Sequence, residues 1–339
     1  MNVLFGMTPA ELKSLAAKMK FPAYYGLQIA ERLYKGDVTE IDAITNLSKR
    51  ARAALAAEYE TGIYPPSVTT VARDGTKKYL YRLHSGHAVE SVYIPEAERA
   101  TLCISSQAGC RMGCRFCMTA RAGFKTNLAA GEILNQIRSL PERAALTNIV
   151  YMGMGEPMDN ADEVLKSLEI LTSDYGYAMS HKRITVSTGG VREGLPRFLR
   201  QSKCRLAISL HSPFDEERLQ LMPMHRKFPI ADIMKTIAAD PFPQRRISFE
   251  YIMFAGVNDT ERHARALVGL LSGINGCRVN LIRFHRIPDC SLSPSDETAI
   301  ENFRAYLNSR GLPATVRASR GEDIFAACGM LAGQLEIKN

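Results

Sequence analysis

The chain has 339 residues, 46% of them apolar and 23% charged. That is the balance of a folded protein with a sizeable core, and it excludes a disordered or fibrous chain. The formal net charge of +8 fits either a generally basic surface or a phosphate-rich partner, because Lys and Arg gain affinity by displacing counterions from nucleic acid.

No stretch reaches the roughly 18 uncharged apolar residues of a membrane span. Residues 1–6 lack the basic start and apolar run of a secretion signal, so a cytoplasmic protein is expected. Residues 8–60 are expected to be helical. Thr8, Pro9 and Glu11 have the form of a capping box with Pro at the first helical position, and Leu12, Leu15 and Met19 then share one helix face. A second helix is expected over 24–34, ending near Gly36, and a third from about 46–48 with Lys49, Arg50 and Arg52 on its first turn. On a small helical module beside an enzyme domain, such a turn is a solvated face or a nucleic-acid contact.

After Pro65 and Pro66 the pattern changes to short strands. Residues 69–73, a turn at Asp74 and Gly75, and residues 79–84 read as a hairpin, and 89–94 as a further strand. From about 98 onward strands alternate with helices. Strands are expected at 101–105, 148–152, 183–187, 205–210, 247–253 and 278–284, with helices such as 162–171, 230–239 and 260–271 between them. This is an α/β pattern with a parallel sheet. It curls into a partial (β/α)6 barrel or lies open as a doubly wound sheet; in both, functional residues sit at the C-terminal strand ends. The expected division is a helical accessory domain at 1–64, a β-hairpin and strand extension at 65–97, and a catalytic domain at 98–339.

Four of the eight cysteines fall between 103 and 117, which makes metal or redox chemistry the first reading. Cys110, Cys114 and Cys117 form a C-x3-C-x2-C motif in a loop after the first barrel strand. Three thiolates can ligate three irons of a 4Fe–4S cluster and leave the fourth iron open. A structural zinc site normally needs four ligands, often as two spaced pairs, and the chain has no second C-x-x-C.

This motif is the signature of the radical S-adenosylmethionine (SAM) superfamily, which the chain resembles throughout. Phe116 fits the superfamily's habit of an aromatic residue before the third cysteine. The resemblance implies SAM chelated by the open iron and cleaved by one electron to a 5′-deoxyadenosyl radical. The segment YMGMGEP at 151–157 follows a strand, and there Gly155 and Glu156 become SAM contacts, Glu156 accepting from the ammonium group. Ser187, and Ser209, Leu210 and His211, end later strands and complete the expected SAM set with His285.

More specifically, residues 103–117, 89–95, 320–329 and the N-terminal helices are similar to the RlmN/Cfr family of RNA adenosine methyltransferases. That resemblance implies methylation of a ring carbon of adenosine, C2 more than C8, in 23S ribosomal RNA, with tRNA as the second candidate substrate and two SAM per turnover. It implies Cys328 as the S-methylcysteine carrier, Glu90 as proton acceptor, and Cys103 as the resolving thiol in a transient disulfide with Cys328. It also implies an electron donor such as flavodoxin. A monomer is the default, with no membrane partner. Cys204, Cys277 and Cys290 match no motif and are expected to be structural.

Lys77, Lys78, Arg111, Arg115, Arg121, Lys125, Lys182 and Arg183 are expected around the site mouth as an RNA-facing surface. The family usually has Asn where His285 stands and Pro where Arg283 stands, so the chain resembles an atypical member. The rival readings are a radical SAM enzyme acting on another substrate, which has no need of Cys328, and a metal-stabilised RNA-binding protein without catalysis.

Overall fold

The computed structural model describes residues 2–333. Met1 and residues 334–339, which open and close the expected domains, lie outside the described residues. The chain starts with β1 (Asn2–Val3), followed by α1 (Pro9–Lys18), α2 (Tyr25–Tyr34) and α3 (Lys49–Glu58), and β1 pairs in parallel with β2 (Tyr59–Glu60). α1 begins as its sequence dictates. The Glu11 amide donates to Thr8 Oγ1 at 3.3 Å and the Thr8 amide donates to the Glu11 carboxylate at 2.7 Å, so two amides that a helix start leaves open are satisfied. Leu12, Leu15, Ile29 and Leu33 are buried and belong to one hydrophobic core that continues into the main sheet. Lys166 pairs with Glu11 at 2.8 Å, and Asn135 exchanges hydrogen bonds of 3.0 and 3.2 Å with the Tyr64 main chain.

Next come β3 (Val68–Val71), β4 (Lys77–Arg82) and β5 (Ala88–Pro95), which run antiparallel onto β6 (Ala100–Cys103). The β3–β4 turn is closed by the Thr76 amide donating to Asp74 Oδ1 at 2.9 Å. Two short strands follow, β7 (Gln107–Ala108) and, after α4 (Met118–Arg121), β8 (Thr126–Asn127), which pair with each other. The alternation then proceeds through α5 (Ala130–Arg138), β9 (Asn148–Tyr151), α6 (Ala161–Thr172), β10 (Ile184–Thr188), α7 (Gly194–Gln201) and β11 (Arg205–Ser209). It ends with α8 (Asp215–Leu221), α9 (Ile230–Ala238), β12 (Ile247–Met253), α10 (Glu261–Leu271), β13 (Arg278–Arg283), α11 (Glu297–Ser309) and β14 (Ala314–Val316).

The main sheet has the order β14-β13-β12-β11-β10-β9-β6-β5-β4-β3. Strands β6 and β9 to β14 are mutually parallel. The order never reverses, which rules out the doubly wound alternative, because that arrangement needs a switch point. Right-handed crossovers that all advance in one direction keep the helices on one face, leaving an open, partial barrel. Its seventh parallel strand, β14, is only three residues long and carries too little pattern to be expected from sequence. Every residue of β12 is buried, as in a strand covered on both faces.

Candidate active site

Strands β6, β9, β10, β11, β12, β13 and β14 deliver their C-terminal ends to one rim. There a cavity of about 310 Å3 is lined by Cys103, Cys110, Cys114, Cys117, Gly155, Glu156, Ser187, Ser209, His211, His285 and Cys328. Thus residues from positions 103 to 328 meet in one place. Glu90 and Leu210 are the two expected site residues that do not line it. A larger open groove of about 640 Å3 runs along α1, α6 and α7 and contains no cysteine.

The three motif cysteines lie on the loop between β7 and α4. Burial pushes the Cys110 thiol up to about 12 and raises those of Cys114 and Cys117 as well, so each needs a cation to become a thiolate. Phe116 packs edge-on to His211 at 4.8 Å and against Phe254 at 5.5 Å, forming part of the wall. Among the described residues no group of three His, Cys, Asp or Glu side chains closes round a single-ion position. Three thiols on one loop at the cavity are a donor set that fits a cluster, in which each thiolate holds a different iron.

Cys328 reaches this loop through a network of main-chain bonds. The Met118 amide donates to the Gly329 carbonyl at 2.7 Å and Thr119 Oγ1 donates to the Leu331 carbonyl at 2.6 Å. The β3–β4 turn holds the other side: the Gly321 amide donates to Asp74 Oδ2 at 3.1 Å. Gly321 has φ +61°, and a Cβ there would lie 2.8 Å from Ala326 Cβ, so only glycine lets the segment fold back. The Cys328 thiol is exposed to the cavity yet surrounded by protein; burial raises its pKa first, and the Glu250 carboxylate adds to this while Arg317 opposes it. Cys103, at the end of β6, is buried, and burial likewise pushes its thiol up. All eight cysteines are free thiols, so a Cys103–Cys328 disulfide is not formed here.

Glu90 is not an exposed strand carboxylate. It is 3% exposed, pairs with Lys78 at 3.0 Å, and accepts from the Ala332 and Gly333 amides at 2.8 and 2.9 Å. Glu156 is also engaged: it accepts from the Met158 amide at 3.0 Å and the Gly189 amide at 2.8 Å, and burial raises its pKa. Gly155, with φ +99°, would place a Cβ 2.6 Å from Gln107 Cβ. His211 Nδ1 accepts from the Ile252 amide at 3.1 Å, and burial pushes the ring down to about 3, so it is a neutral wall. Leu210 faces the core, 1% exposed. His285 has both nitrogens in use, with Ser319 Oγ at 3.0 Å and Glu322 at 3.1 Å. Arg283 makes two 2.6 Å bonds to Glu297 at the start of α11, which gives the unusual Arg a structural place.

Two cavity residues carry no sequence signal of their own. Glu250, on β12, is 3% exposed; Oε1 accepts from Ser248 at 2.8 Å and Asn280 at 2.7 Å, while Oε2 has no partner. Arg317 follows β14 and also lines the cavity. The basic set divides. Arg111, Arg115, Arg121 and Lys125 are exposed around the loop of the three motif cysteines, where Arg111 and Arg121 pair with Asp159 and Asp289, whereas Lys77 and Lys78 are less exposed and pair with Glu142 and Glu90. Lys182 and Arg183 precede β10 and so sit at the opposite, N-terminal end of the sheet, away from the site mouth.

The radical SAM superfamily model matches residues 104–267. A chain from Parabacteroides distasonis named probable dual-specificity RNA methyltransferase RlmN is 57% identical, over 97% of this chain and 96% of that one. The dual-specificity RNA methyltransferase RlmN of Halorhodospira halophila is 41% identical, over 98% and 94%. The crystal structure of a radical SAM methyltransferase from Sphaerobacter thermophilus superposes with a TM-score of 0.90 at 37% identity, over 98% of this chain and all of that one.

Proposed function

Since the chain belongs to the RlmN family of radical SAM RNA methyltransferases, we propose that it methylates a ring carbon of adenosine, C2 rather than C8, in 23S ribosomal RNA and tRNA. The description of its relatives as dual-specificity accords with two RNA classes. The observation that carries the reading is that Cys328 and Cys103 face the same cavity as Cys110, Cys114 and Cys117. The bonds from Met118 and Thr119 to the Gly329 and Leu331 carbonyls keep the Cys328 segment at that cavity.

Cys110, Cys114 and Cys117 would hold the 4Fe–4S cluster, and the loops at Gly155–Glu156, Ser187, Ser209–His211 and His285 would surround SAM. When bound, the two supply a 5′-deoxyadenosyl radical that abstracts hydrogen. Cys328, as thiolate, takes a methyl group from one SAM by displacement at carbon; Arg317 beside it favours that charged form. Loss of a hydrogen leaves a methylene radical on Cys328 that bonds to the electron-poor ring carbon, a site where polar methylation fails. Glu90 then accepts the ring proton while the adduct gives up one electron, for which the cluster, oxidised when it supplied the radical, would be the acceptor, so that a closed-shell thioether to Cys328 remains. Cys103 attacks the Cys328 sulfur; the bond from that sulfur to the tethering carbon breaks, the carbon is protonated to a methyl group, and a disulfide remains for thiol reduction.

Glu90 is covered by Ala332 and Gly333, so it becomes available as residues 332–333 shift. His285 would exchange Ser319 or Glu322 for the adenosine half of SAM. The helices of residues 1–64, with Lys49, Arg50 and Arg52, act as the RNA-binding accessory domain beside the extension at 65–97 and the catalytic domain from 98, in a cytoplasmic monomer that takes electrons from a flavodoxin-like donor.

The test is anaerobic reconstitution with iron and sulfide, incubation with ribosomal RNA or tRNA, SAM and reductant, and mass spectrometry of the digested RNA. The expected product is 2-methyladenosine. A colourless protein that leaves SAM intact would return the chain to the RNA-binding class.

A further inference from the structure

Arg218 lies on α8, behind the loop that carries Cys114, and no sequence motif points to it. It is 0% exposed. Nε donates to the Leu210 carbonyl at 3.1 Å, Nη1 to His225 Nδ1 at 2.9 Å and the Phe228 carbonyl at 3.4 Å, and Nη2 to the Gly189 and Ser209 carbonyls at 3.0 and 3.1 Å. Every one of these acceptors is neutral. His225 keeps its Nδ1 lone pair for Arg218 because Nε2 faces Asp215 at 3.1 Å, and burial together with the Arg218 charge holds the ring below its ordinary pKa. Burial pushes Arg218 down to about 10, so the guanidinium still carries its charge at neutral pH.

A buried unit charge bonded only to neutral groups is costly unless an anion stands close by. Gly189 and Ser209, whose carbonyls Arg218 holds, line the same cavity as Cys114, and the groups around Arg218 that can be anionic are Cys114, Asp215 and Glu156. Asp215 is 67% exposed and already faces His225, so water screens it. Glu156 is occupied by the Met158 and Gly189 amides. Cys114 is half-buried, and burial raises its thiol pKa, so as a free thiol it is neutral. It becomes anionic only when it ligates metal. The cluster loop is also docked on α8, because the Arg115 amide donates to the Leu221 carbonyl at 3.0 Å.

We propose that Arg218 is the buried countercharge of the cluster held by Cys110, Cys114 and Cys117, a positioning residue that makes the cluster easier to reduce. This rests on the cluster reading above. A 4Fe–4S core bound by three thiolates is net anionic and gains a further negative charge on reduction, and potentials of such clusters follow nearby charge and hydrogen bonding. A fixed positive charge in a low-dielectric setting therefore favours the reduced form. The same guanidinium holds the Gly189, Ser209 and Leu210 carbonyls, so the loops that would surround SAM are braced by the group that balances the cluster.

The test is a redox titration of the reconstituted cluster, followed by electron paramagnetic resonance without SAM or RNA, so that methylation activity plays no part. In Arg218→Gln the ratio of reduced to oxidised cluster at a fixed potential should fall about tenfold, a midpoint ~59 mV more negative. Arg218→Lys keeps the charge and should stay within about threefold of wild type, or ~30 mV. Equal midpoints in wild type and Arg218→Gln, or equal falls in the Lys and Gln variants, would overturn the proposal. Should Arg218→Gln fail to fold, Arg218→Lys decides: a buried lysine loses its proton as pH rises, so its midpoint should fall more steeply with pH than that of wild type, and parallel slopes overturn the proposal. A wild type that takes up no iron overturns instead the cluster reading beneath it.

Discussion

The Met118 amide donates to the Gly329 carbonyl at 2.7 Å, which fixes Cys328 beside the turn that follows Cys117. Cys328 and the loop of Cys110, Cys114 and Cys117 are thereby one mechanical unit, although more than half the chain separates them in sequence. Thr119 Oγ1, bonded to the Leu331 carbonyl at 2.6 Å in a buried setting, extends that contact.

Thr119→Ala should loosen this contact while leaving Cys110, Cys114 and Cys117 untouched. The expected cost is about 1 kcal/mol, the loss of one buried hydrogen bond. Hydrogen exchange should quicken over residues 327–333 while cluster content stays at the wild-type level. Unchanged exchange in that segment would show that Thr119 does not hold it.

Glu90 separates a structural from a chemical role. Glu90→Ala leaves Lys78, whose side chain is 12% exposed, without its partner and two amides without an acceptor, at a cost of about 3 kcal/mol. Glu90→Gln retains an oxygen for the amides but takes up no proton. It should denature closer to wild type than the Ala variant does, yet form little methylated RNA. A Gln variant that methylates at the wild-type rate removes Glu90 from the proton transfer.

Cys103→Ala removes the thiol proposed to release product. RNA should then remain attached to protein through Cys328, as a species that survives denaturing gel electrophoresis and disappears on nuclease digestion. Free methylated RNA at wild-type yield would assign release to another group.

His211 makes stability depend on pH in a defined window. Its pKa is about 3 in the folded protein against an ordinary 6.5, so the unfolded chain binds the extra proton between those values. Stability is whole above about pH 6.5 and is lost as pH falls towards 3; at pH 5 the loss is about 2 kcal/mol. His211→Gln can still accept from the Ile252 amide but does not titrate. Denaturant midpoints at pH 7 and pH 5 should therefore differ more for wild type than for the variant.

Much of this site is legible in the sequence because its signals are local. The cysteine triplet is a short run whose residue types and spacing already point to a cluster, while the 151–157 loop and the 320–329 segment are read through their resemblance to the family. The hairpin and the capping box at Thr8 are legible for the same reason. Arg218, Glu250 and Arg317 are not, since each acquires its meaning only when the sheet brings its strand or helix against Cys114 or Cys328. Periodicity also leaves the barrel undecided against a doubly wound sheet; strand order decides it. Lys182 and Arg183 mislead for a related reason: a basic pair before a strand and one after it look alike in sequence, yet they lie at opposite ends of the sheet.

The central claim is that Cys328 carries the methyl group, and Cys328→Ala tests it most directly. The reconstituted variant, incubated anaerobically with RNA, SAM and reductant, is assayed for 5′-deoxyadenosine and for methylated adenosine in digested RNA. Cleavage of SAM should persist while methylated adenosine falls to background. Methylated adenosine at the wild-type level in this variant would contradict the account.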